Sequence, residues 1–102
     1  MVIEFYPVEK LKNEILAIVG EYLDLNSYRV FFFGSRVTGK NTKYSDIDIG
    51  VEGPKPVSVG ILAKIREDME NLPLLYKIDV VDFTKVSADF RDVALQHIEE
   101  LA

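Results

Sequence analysis

Apolar residues recur at Val8, Leu11, Ile15, Ile18 or Val19, and Tyr22. That spacing lines them along one side of a helix and predicts a helix over residues 7–24. Pro7 fits its first turn, where the missing N–H costs little. The pattern then changes. Residues 28–33, YRVFFF, are β-branched and aromatic and stop at a glycine, which predicts a buried strand. Residues 35–43 have no sustained period and carry Gly39, predicting a short helical turn and a loop. Residues 46–52, DIDIGVE, alternate at first and predict a second strand. GPKP at 53–56 is a loop. Ile61, Leu62, Ile65 and Met69 then predict a second long helix over 58–71, stopped by Pro73. Residues 75–83, LYKIDVVDF, predict a third strand. With Ser87 as N-cap, Phe90, Val93, Ala94, Ile98 and Leu101 predict one last amphipathic helix, with Glu99 and Glu100 at its solvated end. The order of elements predicts an α/β fold, a small sheet covered by helices. It leaves open whether the first two strands pair directly through their loop or run parallel.

The second strand holds the unusual feature. Side chains alternate along a strand, so Asp46 and Asp48 point one way while Ile47, Ile49 and Val51 point into the core. Two carboxylates that close repel each other unless a cation lies between them. Magnesium takes oxygen ligands and commonly combines one or two carboxylates with substrate phosphates. The third strand adds Asp79 inside an apolar run. Asp82 falls on the opposite face, nearer the strand end, where an exposed acid needs no explanation.

Gly34-Ser35 ends the first strand and opens a turn. Glycine lets backbone approach a ligand closely, and successive N–H groups at a turn hold phosphate. Arg36, Lys40 and Lys43 follow and supply positive charge before Asp46. Taken singly these features are ordinary: an Asp-x-Asp can be a solvated face, a Gly-Ser a plain turn. Together they are the parts of metal-assisted phosphoryl or nucleotidyl transfer.

Composition narrows the field. One hundred and two residues are enough for a single domain, read here as 1–102. At 48% hydrophobic and 28% charged the chain has the balance of a soluble globular protein. No apolar run approaches the ~20 residues that span a bilayer, and Glu4 and Glu9 sit where a signal peptide would be basic. The expected location is cytoplasmic. The absence of cysteine excludes disulfides, thiolate metal sites and a cysteine nucleophile. A net charge of −5 argues against nucleic acid as a tightly held partner.

Gly34-Ser35, ten residues, Asp46-Ile47-Asp48, and a later Ile78-Asp79-Val80 resemble the DNA polymerase beta-like nucleotidyltransferase superfamily. FFFGSRVTGKNTKYSDIDIGVE is most similar to its minimal nucleotidyltransferases, and the likeness runs from the opening helix through Asp82. The resemblance implies the nucleotidyltransferase fold, an α+β arrangement with a small mixed sheet. It implies that Gly34 and Ser35 hold the β- and γ-phosphates of a nucleoside triphosphate, ATP being the expected one. It implies that Asp46 and Asp48 bind two magnesium ions, and that Asp79 completes one metal site and activates the acceptor hydroxyl. Arg36 is a candidate for a further phosphate contact, or else a solvated charge.

Proteins of this family pair with all-helical partners of the HEPN type in toxin–antitoxin modules, some transferring AMP to a tyrosine of the toxin. The resemblance therefore implies an antitoxin acting on a hydroxyl of a partner protein. Alternatives are an antitoxin that works by contact alone, and a transferase acting on a small hydroxyl compound such as an aminoglycoside, with a dimer building the pocket. Phe5, Tyr6, Phe90 and the last helix are candidate contact surfaces, with core packing as their ordinary use. His97 reads as a surface or boundary residue, and Tyr44 as loop packing, with stacking on a base as its alternative.

Overall fold

Leu11, Ile15 and Val19 are fully buried along one side of α1 (Val8–Tyr22), as the spacing requires. The computed structural model describes residue 3, residues 6–39 and residues 46–101. Lys40, Lys43, Tyr44 and Phe5, singled out above, lie outside the described residues. After α1 come β1 (Arg29–Phe33), α2 (Ser35–Thr38), β2 (Ile47–Glu52), α3 (Val59–Glu70), β3 (Ile78–Asp82), α4 (Ala88–Ala94) and β4 (Glu99–Glu100). The strands form one mixed sheet in the order β3-β2-β1-β4. β1 and β2 are antiparallel, which settles the pairing the sequence left open, and β2 and β3 are parallel, joined through α3. Ser58 caps α3, its hydroxyl accepting from the Ile61 N–H at 3.2 Å. Among the described residues no helix is long and apolar enough to cross a membrane.

The register sorts the side chains. Val30 and Phe32 of β1, Ile47, Ile49 and Val51 of β2 and Val80 of β3 share one face and pack against α1 and α3. Tyr22 ties these helices together, its hydroxyl donating to Asp68 at 2.7 Å. The other face carries Phe31, Phe33 and Phe83, with Ala94, Leu95 and Ile98 against them. Phe83 stands edge-on to Phe31 and Phe33, ring centroids 4.9 and 5.0 Å away.

Gly50, opposite Phe31 in the register, is the space those rings fill. A Cβ there would come within 2.5 Å of Phe31 Cζ and 2.8 Å of Phe83 Cε1. Rigid buried rings cannot yield, so Gly50→Ala is expected to destabilise by about 2 kcal/mol through overpacking. In thermal unfolding that is a fall of roughly 10 °C for a chain this size; an unchanged midpoint would show that the rings repack freely.

The last helix is shorter than its pattern suggests. α4 ends at Ala94, and Glu99–Glu100 are not a solvated helix end but β4, paired antiparallel with Phe31 and Phe32. The Leu101 N–H continues the pairing to Val30 C=O at 2.8 Å. Ile98 and Leu101 fit helical spacing, yet Ile98 packs with the Phe31 cluster and Leu101 with the opposite core. One helix cannot place two side chains on opposite faces of a sheet; a strand can. Lys12 meets Glu99 at 3.1 Å and Arg29 meets Glu100 at 3.3 Å.

Asp82 also departs from expectation. It faces away from Asp79, as alternation requires, but it is only 4% exposed. It accepts from the Val57 N–H at 2.7 Å, the Thr84 N–H at 2.9 Å and the Thr84 hydroxyl at 2.8 Å. The carboxylate pins the loop ahead of α3 to the end of β3, a structural use that a strand-end acid can serve once its acceptor sites are filled.

Candidate functional site

The site lies at one end of the Phe31–Phe33 face, where β1 stops. Phe33 pairs with Asp48, and Asp48 pairs with Asp79. Residues opposite each other in a sheet share a face, so the two carboxylates stand side by side on adjacent strands. Asp46 sits immediately before β2, near enough to act electrostatically on Asp48. Burial, then the charge of Asp79, then that of Asp46 push the Asp48 carboxyl up to about 6. Lys77 approaches Asp79 at 3.5 Å from the solvent side.

Gly34 joins this cluster to the turn that follows β1. Its φ of +82° and ψ of −162° belong to a region that side-chain-bearing residues avoid. Its Cα also lies directly against the Asp48 carboxylate: an added Cβ would overlap Oδ2 and come within 3.1 Å of Cγ. Both the backbone angle and the space demand glycine. Ser35 begins α2, whose first amides lack intrahelical acceptors because no helical turn precedes them. Val37 and Thr38 N–H already donate to the Gly34 carbonyl at 3.1 and 3.3 Å. Gly39, at φ +78°, closes the turn.

Arg36 is not a solvated charge. It is 5% exposed, with its guanidinium 4.5 Å from the centroid of the Tyr76 ring. It thereby fastens α2 to the segment leading into β3, so the turn and Asp79 are held by one contact. Tyr6 packs partly against the main core and donates to Glu14.

Beside Gly34 a cleft of about 530 Å³ opens between the turn and α4. Its floor is Phe33, Gly34, Thr38 and Asp48. Its wall is Phe90, Val93 and Ala94, with Gln96 and His97 at the rim. Phe90 and Val93 are 44% and 67% exposed. α4 is fixed from behind by Arg91, which donates to Glu52 at 2.6 and 3.0 Å. Arg91, helped by Arg29, holds the Glu52 carboxyl below its ordinary value. His97 is exposed as expected, but it lies beyond α4 and belongs to this cleft. Nothing in the linear pattern marks it, because its approach to Gly34 depends on β4 returning beside β1.

The donor set is all carboxylate oxygen, the chemistry that magnesium takes. Among the described residues no three acidic or histidine side chains are gathered closely enough to form a metal shell by themselves. Asp79 and Asp46 both push the Asp48 carboxyl up, and a divalent cation carrying phosphate oxygens would relieve that repulsion. The residues fit magnesium on that basis: Asp46, Asp48 and Asp79 would hold it together with substrate phosphates.

Residues 8–100 match the family described as Nucleotidyltransferase domain. A protein of Haemophilus influenzae named probable protein adenylyltransferase MntA is 35% identical over 85 residues, 81% of this chain and 75% of that protein. Among solved structures, a toxin–antitoxin complex with AMP-PNP superposes with a TM-score of 0.73 at 20% identity, covering 89% of this chain and 72% of that one. A tri-AMPylated HEPN toxin from Shewanella oneidensis in complex with its MNT antitoxin contains a chain that superposes at 0.69 with 19% identity, covering 92% and 71%. At these identities the superpositions establish the fold.

Proposed function

Because the chain belongs to the nucleotidyltransferase domain family, we propose that it transfers AMP from ATP, with magnesium, to a hydroxyl on a partner protein, acting in the cytoplasm as the antitoxin of a helical HEPN-type toxin. The contact between Gly34 and the Asp48 carboxylate carries this reading. It fuses a phosphate-holding turn and a metal-binding acid into one rigid unit, which neither a plain turn nor a solvated acidic face requires. The named relative and the toxin–antitoxin neighbours point to the acceptor class.

In this reading Gly34 and Ser35 hold the β- and γ-phosphates through backbone N–H and hydroxyl. Asp46 and Asp48 bind magnesium, and Asp79, on the outer strand β3, completes the ligand set and receives the acceptor proton. Bound magnesium neutralises the developing charge on the attacking and leaving oxygens. Arg36 holds α2 in place from beneath. A contact-only antitoxin fits the carboxylates poorly: three acids that repel, one of them half-buried, weaken a fold that has no chemical use for them.

The test uses the purified chain, its partner toxin and ATP labelled at either the α- or the γ-phosphorus. Label from the α position is expected on the toxin, only with magnesium. Asp46→Asn is expected to lower the rate by roughly a hundredfold or more, the scale of removing one electrostatic stabiliser of a transition state. Transfer of the γ label, or an Asp46→Asn protein as fast as wild type, would overturn the reading.

A further inference from the structure

We propose that Tyr76 is a positioning residue for the transfer: through its ring beneath the Arg36 guanidinium it sets the spacing between the phosphate-holding turn and Asp79. The proposal rests on the transferase reading, which gives the turn the triphosphate and Asp79 the acceptor proton.

The strand order creates the need. β2 lies between β1 and β3, so the turn after β1 and the segment that enters β3 stand on opposite flanks of Asp48. On the first flank the spacing is fixed by touch, since Gly34 lies against the Asp48 carboxylate. On the second flank Asp79 is held beside Asp48 by the strand ladder, as the second residue of β3. Strand ends open more easily than strand centres, so a base placed there gains from a further support.

The residues before β3 supply it. Leu72, Leu74, Tyr76 and Ile78 pack against the main core, while Leu75 and Lys77 between them are exposed. This alternation turns the Tyr76 ring to the core side and leaves Asp79, three residues on, at the other face. On the core side the ring lies under Arg36, whose guanidinium carbon is 4.5 Å from the ring centroid. The contact thus runs from α2 to the entry of β3, past the start of β2.

Chemistry accounts for the pair. A four-residue helix is too short to hold its own shape, and Arg36 is the buried residue of α2. A buried guanidinium keeps its charge and needs compensation. The face of an aromatic ring supplies some of it through the ring quadrupole. An aliphatic side chain would fill the same space without attracting the cation. The attraction depends on where the cation stands over the ring, so it fixes the place of α2 relative to β3.

The test replaces Tyr76 with phenylalanine, and with phenylalanine carrying one, two or three ring fluorines. Fluorine drains the ring face that attracts the cation and leaves the shape of the ring nearly intact. Transfer from labelled ATP to the partner toxin is followed at saturating magnesium-ATP. Affinity for magnesium-ATP is measured by calorimetry without the toxin. Tyr76→Phe is expected to transfer like wild type. Each fluorine is expected to lower kcat, the trifluorinated protein by roughly tenfold, through misplacement of Asp79. Affinity for magnesium-ATP is expected to hold, because Gly34 and Asp48 keep their direct contact. Arg36→Met should lose as much, and in that background fluorination should cost nothing further. A kcat that stays level across the series, or that falls just as far in the Arg36→Met background, would overturn the positioning role. So would an affinity that falls in step with kcat, since Tyr76 would then serve nucleotide binding. In each of these cases a wild type that transfers AMP leaves the transferase reading standing; a wild type that transfers none removes both.

Discussion

Asp48→Asn is expected to stop nucleotide transfer and, in the absence of metal, to make the protein more stable. The two effects have one origin. Burial and the charges of Asp79 and Asp46 raise the Asp48 carboxyl to about 6, against ~3.9 in an unfolded chain. The folded state therefore binds the proton more tightly. Folding takes up a proton between about pH 4 and 6, so stability falls as pH rises through that window and the full penalty stands above it. Two pKa units correspond to at most about 3 kcal/mol, and solvent around this partly exposed group reduces that to roughly 1 kcal/mol. In chelator, wild type should gain about 1 kcal/mol between pH 7 and 4. The asparagine variant should lack that gain and be more stable than wild type at pH 7 by a similar amount. Magnesium with ATP should reverse the order, because only wild type binds it. Urea unfolding at both pH values decides the matter, and an identical pH slope in both proteins would mean that Asp48 does not carry the penalty.

Gly34→Ala is expected to act in the opposite sense, costing both stability and activity. The backbone angle alone costs about 1–3 kcal/mol for a residue with a Cβ. The added methyl also displaces the Asp48 carboxylate that it would overlap. A displacement of about 1 Å in a reacting constellation can cost a hundredfold in rate, so transfer should fall by roughly that factor beyond any loss through unfolding. Rates measured well below the unfolding midpoint, beside a thermal melt of each protein, separate the two losses. Full activity in a folded Gly34→Ala protein would show that the turn and the acid work independently.

Residues close in sequence announced most of this. Leu11, Ile15 and Val19 mark α1, the Phe31–Phe33 run marks β1, and the alternation around Asp48 tells which side is core. Asp79 and Asp82 were correctly assigned to opposite faces by alternation alone. What the sequence could not show depended on distant partners. Glu99 and Glu100 have helical surroundings, and only the open edge of β1 makes them a strand. Asp82 reads as an exposed acid until the Val57 N–H is brought to it. Arg36 could be a solvated charge until Tyr76 is brought beneath its guanidinium and buries it. The cleft with His97 exists only because three elements far apart in the chain meet there.

Among the described residues the sheet's two edges are β3 and β4, and they bear on how the protein behaves at high concentration. An open edge is a template for strands of other molecules unless it is short or charged. β4 is only two residues long, and both are glutamates. β3 carries Asp79, whose side chain is 42% exposed. Neither border invites fibrous growth, and the acid assigned to the acceptor at one of them also keeps neighbouring copies from zipping onto the sheet.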